Sequence, residues 1–212
     1  MASGLWIVLR RSVGAWKRQI LLERPWGLQK LGKRSIVKRP RKLTGRNSIW
    51  IGDDTYVHSY SLMIAVSQYA GKVYHSSIRI GNFVYIGRHV YLTAVEEISI
   101  GDGCVLSEHV YITDLSHGLD PNCGPIMSQD LETKGPVRIG ANCFLGYRSV
   151  VMPGVTLGEW CVVGANSVVT RSFPSYSMIA GAPAQLIKVY SRELGKWLAP
   201  DKMKYRGGIL EG

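Results

Sequence analysis

IGANCFLGYRSVVMPGVTLGEWCVVGANSVV, residues 139–169, carries an aliphatic side chain at every sixth position: Ile139, Leu145, Val151, Leu157, Val163 and Val169. Side chains repeat every 3.6 residues in an α-helix and every 2 in a strand, so neither element explains the period. A short flat strand plus a corner, reused, does. Three such sides make a triangular coil with one aliphatic side chain per side pointing inward, and repetition at a fixed period is the mark of a solenoid. The residue after the aliphatic is Gly140, Gly146, Gly158 or Gly164, broken by Met152, and the residue four places on is small: Cys143, Ser149, Val155, Cys161, Ser167. Glycine suits a corner because it adopts backbone conformations closed to other residues. A small inward residue lets the chain turn without crowding the core.

The register extends upstream through Ile51 and Val57, then Ile80, Ile86 and Leu92, then Ile100, Leu106 and Ile112. Three segments leave it: about Ile64 to Ser77, a two-residue slip at Glu96-Glu97, and Thr113 to Arg138, which is rich in Asp, Gly, Pro and Ser. A loop as long as the last is uncommon in a compact repeat and is usually functional. The fold expected is therefore an all-β solenoid over residues 31–190. It is preceded by a basic segment, 1–30, and followed by a C-terminal helix at Ser191–Leu198 and a tail to residue 212.

In the N-terminal segment, Leu5, Leu9, Val13, Trp16 and Ile20 form an apolar stripe at helical spacing, with Arg10, Arg11, Lys17 and Arg18 elsewhere on the wheel. Such a helix caps the open end of a solenoid or lies on an anionic membrane face. The apolar run is too short for a signal peptide, and no run reaches a membrane span. Cytoplasmic residence follows as the expectation. Three of the four cysteines share the small corner position and no CxxC pair occurs, so neither zinc nor a disulfide framework is expected. The net charge of +11 is thickest before residue 46. No nucleic-acid motif accompanies it, which leaves an anionic surface or a polyanionic ligand as its partner.

Chemistry is expected where the repeat breaks. The long excursion holds Asp114-Leu115-Ser116-His117-Gly118-Leu119-Asp120-Pro121, and a loop histidine beside carboxylates is a candidate general base. Around it the chain resembles the hexapeptide-repeat acyltransferases, closest to the maltose, galactoside, nodulation and surface-polysaccharide O-acetyltransferases. The likeness rests on YITDLSHGLDP, on IGDGCVLSEHVYI, and on the run from Gly135 to Lys188 with its PGV, GANSVVT and AGAPA elements.

That resemblance implies a left-handed parallel β-helix, a homotrimer with its active site between neighbouring subunits, acetyl-CoA as donor and no metal. His117 matches the family's base. Asp114 is the first candidate to orient it, or else caps the loop, and Asp120 is the second. Gly146 and Tyr147 match positions lining the pantetheine arm, and Ala165 another backbone contact. Thr170, Arg171 and Lys188 match positions at the adenosine-phosphate end, where paired cations suit a phosphate. His89 lies near the coil that meets the acceptor; His109 is expected to face solvent or the trimer seam. Departures include Leu115 where many surface-polysaccharide relatives have a histidine, Phe144 where they have tryptophan, and Gln185 for a basic residue.

The zinc-binding γ-class carbonic anhydrases share the fold but use a closer histidine pair than His109 and His117. The implied reaction is acetyl transfer to a sugar hydroxyl of a bacterial surface saccharide or its lipid-linked precursor. Residues 1–22 would then touch the inner membrane face. A non-catalytic trimeric scaffold, and transfer to a free sugar or a small drug, are the alternatives.

Overall fold

Every aliphatic of the six-residue register lies in a strand of two to four residues, and these strands stack into three parallel sheets, the faces of a triangular prism. The computed structural model describes residues 26–200, together with the backbone of Lys204–Arg206 and Ile209–Glu211. The helix expected in the N-terminal segment falls, over residues 1–25, outside the described residues. Face one stacks Lys30–Leu31, Ile49–Ile51, Ser77–Ile80, Glu97–Ile100, Val137–Ile139 and Thr156–Leu157. Face two stacks Ile36–Val37, Tyr56–Val57, Tyr85–Ile86, Val105–Leu106, Phe144–Leu145, Val162–Val163 and Ser177–Gly181. Face three stacks Lys42–Thr44, Leu62–Ala65, Tyr91–Ala94, Tyr111–Thr113, Val150–Val151 and Val168–Val169. Pairing is in register from coil to coil, as in Ile100 opposite Ile139 and Leu106 opposite Leu145.

The core is the column of inward aliphatics. Ile51, Ile86, Leu92, Leu106, Ile112, Leu145, Val151 and Val163 are all fully buried. Cys104, Cys143 and Cys161 fill the small position, and each thiol donates to a carbonyl of the following coil: Gly140 O at 3.1 Å, Gly158 O at 3.1 Å and Pro174 O at 3.2 Å.

The glycine after each aliphatic serves a different purpose from the one its position suggested. Gly146 and Gly158 have ordinary negative φ, but a Cβ on Gly146 would lie 2.7 Å from Ala165 N, and one on Gly158 2.3 Å from Ser175 N. These glycines admit the backbone of the next coil. The αL conformation of the corner falls two residues later, at Asp54, Tyr60, Phe83, His89, His109, Asn142, Arg148, Trp160 and Asn166, with φ between 53° and 65°.

Both long departures from the period leave the prism between face three and face one. The first, between Ala65 and Ser77, folds as a hairpin, Gln68–Tyr69 against Lys72–Val73. The second, between Thr113 and Val137, contains the antiparallel pair Ser116–His117 and Leu131–Glu132. The slip at Glu96-Glu97 is the intervening coil taking the same corner tightly, between Ala94 and Glu97.

The C-terminal helix expected at Ser191–Leu198 is not formed. Strand Ala184–Ser191 runs antiparallel to Ser177–Gly181, and Lys196–Leu198 runs antiparallel to it in turn. The last parallel strand leaves an unpaired edge, which a returning strand satisfies and a helix would not. Gly195, at φ 61°, turns the chain, and Trp197 packs edge-on against Tyr190 at 5.3 Å.

Candidate active site

His117 is placed by three ties. Its backbone pairs with Leu131. The loop beyond it is drawn together by Gln129, whose Nε2 donates to Asp120 O and Gly124 O, each at 2.8 Å, while its Oε1 accepts from Asp120 N at 3.1 Å. The ring is half-buried against Tyr69 of the first excursion, with centroids 5.5 Å apart at 63° and Tyr69 Oη 3.3 Å from Nδ1. Among the described residues Nε2 has no hydrogen-bond partner.

The two excursions are joined along their length. Tyr69 Oη donates to Met127 O at 3.0 Å, Leu131 N donates to Tyr74 Oη at 2.9 Å, and Lys72 pairs with Asp130 at 3.1 Å. The hairpin therefore backs the histidine loop.

Asp114 is turned to the corner rather than to His117. Its carboxylate accepts from Val95 N at 2.7 Å and Glu96 N at 2.9 Å, the two amides of the tight corner between the excursions. It is fully buried, and burial pushes the carboxyl above its ordinary range despite those amides. It fills neither expected role: it caps the corner of the preceding coil, not the loop that holds His117. Asp120 serves its own loop, accepting from Asn122 N at 2.8 Å and from the Cys123 thiol at 3.3 Å; the Asn122 amide first, then the thiol, hold its carboxyl below the usual range.

Three of the expected donor contacts occupy a different edge, whereas Thr170 and Arg171 lie between faces three and one. Gly146, Tyr147 and Ala165 lie between faces two and three, where Asn166 N donates to Tyr147 O at 2.8 Å. His89 is on the same edge, two coils earlier. Its ring stacks on Tyr60 at 5.1 Å and on His109 at 4.8 Å, and His109 meets Tyr147 edge-on at 5.5 Å. The order follows from the αL corner, which turns Tyr60, His89 and His109 outward at equivalent positions of successive coils. Thr170 and Arg171 end face three; the Arg171 guanidinium donates to Gln185 Oε1 at 2.9 Å and lies over the Phe173 ring. Lys188 is exposed on the strand that carries Gln185. One chain thus brings His89 into line with Tyr147, and Arg171 beside the strand of Lys188, but sets His117 on a different edge from Tyr147.

Tyr69, Tyr74 and the linking His109 were missed as site residues. The signal for the first two lay in the register: both excursions follow a face-three strand, so they leave from one corner, two coils apart. Among the described residues, no three or more His, Cys, Asp or Glu side chains come together as a metal site. No described helix is long and apolar enough to cross a membrane.

The family described as the hexapeptide repeat of succinyl-transferase matches residues 136–171. A protein of Mycobacterium tuberculosis named as an acetyltransferase is 30% identical over 89% of this chain and 62% of its own length. WbbJ of Escherichia coli, named for O-acetyl transfer in lipopolysaccharide biosynthesis, is 38% identical over 54% of this chain and 61% of its own length. The chain carries the hexapeptide repeat that this family model describes. It spans about three fifths of the length of those two curated relatives. Among solved structures, AntD, an N-acyltransferase from Bacillus cereus crystallised with dTDP and 3-hydroxybutyryl-CoA, has a TM-score of 0.65 at 21% identity, covering 79% of this chain and 86% of its own. At that identity the likeness is one of fold alone.

Proposed function

We propose that this hexapeptide-repeat protein is an acetyl-CoA-dependent O-acetyltransferase acting on a sugar hydroxyl of a bacterial surface saccharide or its precursor. The observation that carries the reading is the setting of His117: a half-buried ring on a doubly braced excursion, with Nδ1 against a tyrosine hydroxyl and Nε2 unpartnered among the described residues. Nε2 takes the proton of the acceptor hydroxyl as its oxygen bonds to the acyl carbon. The carbon–sulfur bond then breaks, and the proton passes to the departing thiolate. The thioester supplies the activated acyl group; the chain supplies base and position.

The donor suits residues beyond the excursion. Tyr147 offers an exposed face, and Arg171 and Lys188 present cations suited to phosphate. The relatives' names support acetyl transfer, and AntD holds an acyl-CoA on the same fold. His117 lies off one edge and Tyr147 on another, so a neighbouring copy would have to complete the site. This supports a homotrimer of left-handed coils with three shared sites. The reading carries with it a cytoplasmic enzyme whose residues 1–22 rest on the anionic inner membrane face.

Free-thiol release from acetyl-CoA, measured against a panel of free, nucleotide-linked and lipid-linked saccharides, tests it. Acceptor-dependent release should fall at least about 10²-fold in His117→Ala with the assembly intact, the scale of a lost general base. Unchanged release would remove His117 from the reaction.

A further inference from the structure

We propose that Tyr69 positions His117 by fixing its neutral ring as the Nδ1–H tautomer, leaving Nε2 as the bare nitrogen. This rests on His117 being the base. A tyrosine hydroxyl has one proton to give and lone pairs with which to accept. Tyr69 Oη gives its proton to Met127 O at 3.0 Å. Only lone pairs then remain towards His117 Nδ1, 3.3 Å away, and that approach is favourable when Nδ1 carries hydrogen. A ring protonated at Nδ1 accepts at Nε2, the nitrogen with no partner among the described residues. When the ring takes up a second proton, the Nδ1–H donor strengthens, so the same contact favours the cation formed during transfer.

The hydroxyl is itself held in place. Tyr69 lies on a hairpin fastened to the histidine loop on its far side by Tyr74 with Leu131 and by Lys72 with Asp130. The carboxylates that share the loop, Asp114 and Asp120, are engaged with backbone amides elsewhere. The orienting role those carboxylates were expected to fill therefore passes to a phenol from a different coil.

The experiment uses the full chain labelled with ¹⁵N-histidine. Two-bond ¹H–¹⁵N correlation spectra read the tautomer of each neutral ring, and the His117 signals are those lost in His117→Gln. Above its titration, wild-type His117 should show the Nδ1–H pattern. Tyr69→Phe keeps the ring contact and removes the hydroxyl; its His117 should move towards the Nε2–H pattern, with kcat down about 3–10-fold and the donor KM unchanged, as loss of one ordinary hydrogen bond allows. Tyr176→Phe removes a hydroxyl far from the excursions, where Tyr176 donates to Glu159 Oε1 at 3.2 Å, and should leave the His117 pattern alone.

An Nε2–H pattern in the wild type, no change in Tyr69→Phe, or an equal change in Tyr176→Phe would each overturn the proposal. The spectra need no acceptor. An Nδ1–H ring that responds to Tyr69→Phe in a protein with no transfer activity would uphold the tautomer assignment and sink the transferase reading alone.

Discussion

Gly158 and Trp160 sit two residues apart on one corner and should respond to substitution in opposite ways. A methyl group at Gly158 would press on Ser175 N of the next coil at 2.3 Å, so the coils must separate to admit it. Gly158→Ala should lower stability by about 1–3 kcal/mol, the usual cost of overpacking a rigid contact. Trp160 is 51% exposed and held at φ 56°, where a bulky side chain strains the backbone. Trp160→Asn should raise stability by up to about 1 kcal/mol, because Asn tolerates the αL region. Urea melts of the two variants beside wild type check both signs. The aliphatic and small positions of this corner were readable from the sequence, because burial leaves a compositional trace. The division of labour between glycine and the αL residue was not, since close approach and positive φ both select glycine.

Among the elements, the corner at Val95-Glu96 separates the two excursions and depends on Asp114. Asp114→Ala would leave the buried amide of Val95 and the half-buried amide of Glu96 without their acceptor, at about 1–3 kcal/mol for the buried one, and should destabilise the fold by about 2–4 kcal/mol in denaturant melts. Because burial raises this carboxyl above its unfolded value of 3.8, the folded state binds the proton more tightly. Its contribution is therefore largest below that value and declines as pH rises through the folded value. The advantage of wild type over Asp114→Asn should shrink as pH rises above 3.8. The excursions themselves were legible as breaks in the period, to within a few residues at each end. What they touch was not. Tyr69 and His117 are forty-eight residues apart, and nothing local to either names the other.

At the scale of the molecule, His117 off one edge and Tyr147 on another make a testable statement about assembly. If the proposed site is shared between neighbours of a trimer, co-expressing His117→Ala with Tyr147→Ala should restore transfer at about a quarter of the sites of randomly mixed trimers, since one neighbour would supply the base and the other the donor contact. If a single chain held the whole site, the mixture would be as inactive as its parts. The C-terminal residues taught the opposite lesson from the repeat. Ser191 to Leu198 lacks the period, so local propensity suggested a helix, whereas the open edge of the last coil demanded strands.

That open edge has a consequence for solubility. A stack of parallel strands ends in a row of bare amides and carbonyls, a template on which a second molecule could continue the ladder. Here Ala184–Ser191 and Lys196–Leu198 fold back across the face-two strand Ser177–Gly181 and reverse its direction. Molecules cannot concatenate in phase through an edge whose polarity has been flipped. A repeat whose geometry invites filaments is thereby kept as a discrete particle at that strand, with association left to its flanks.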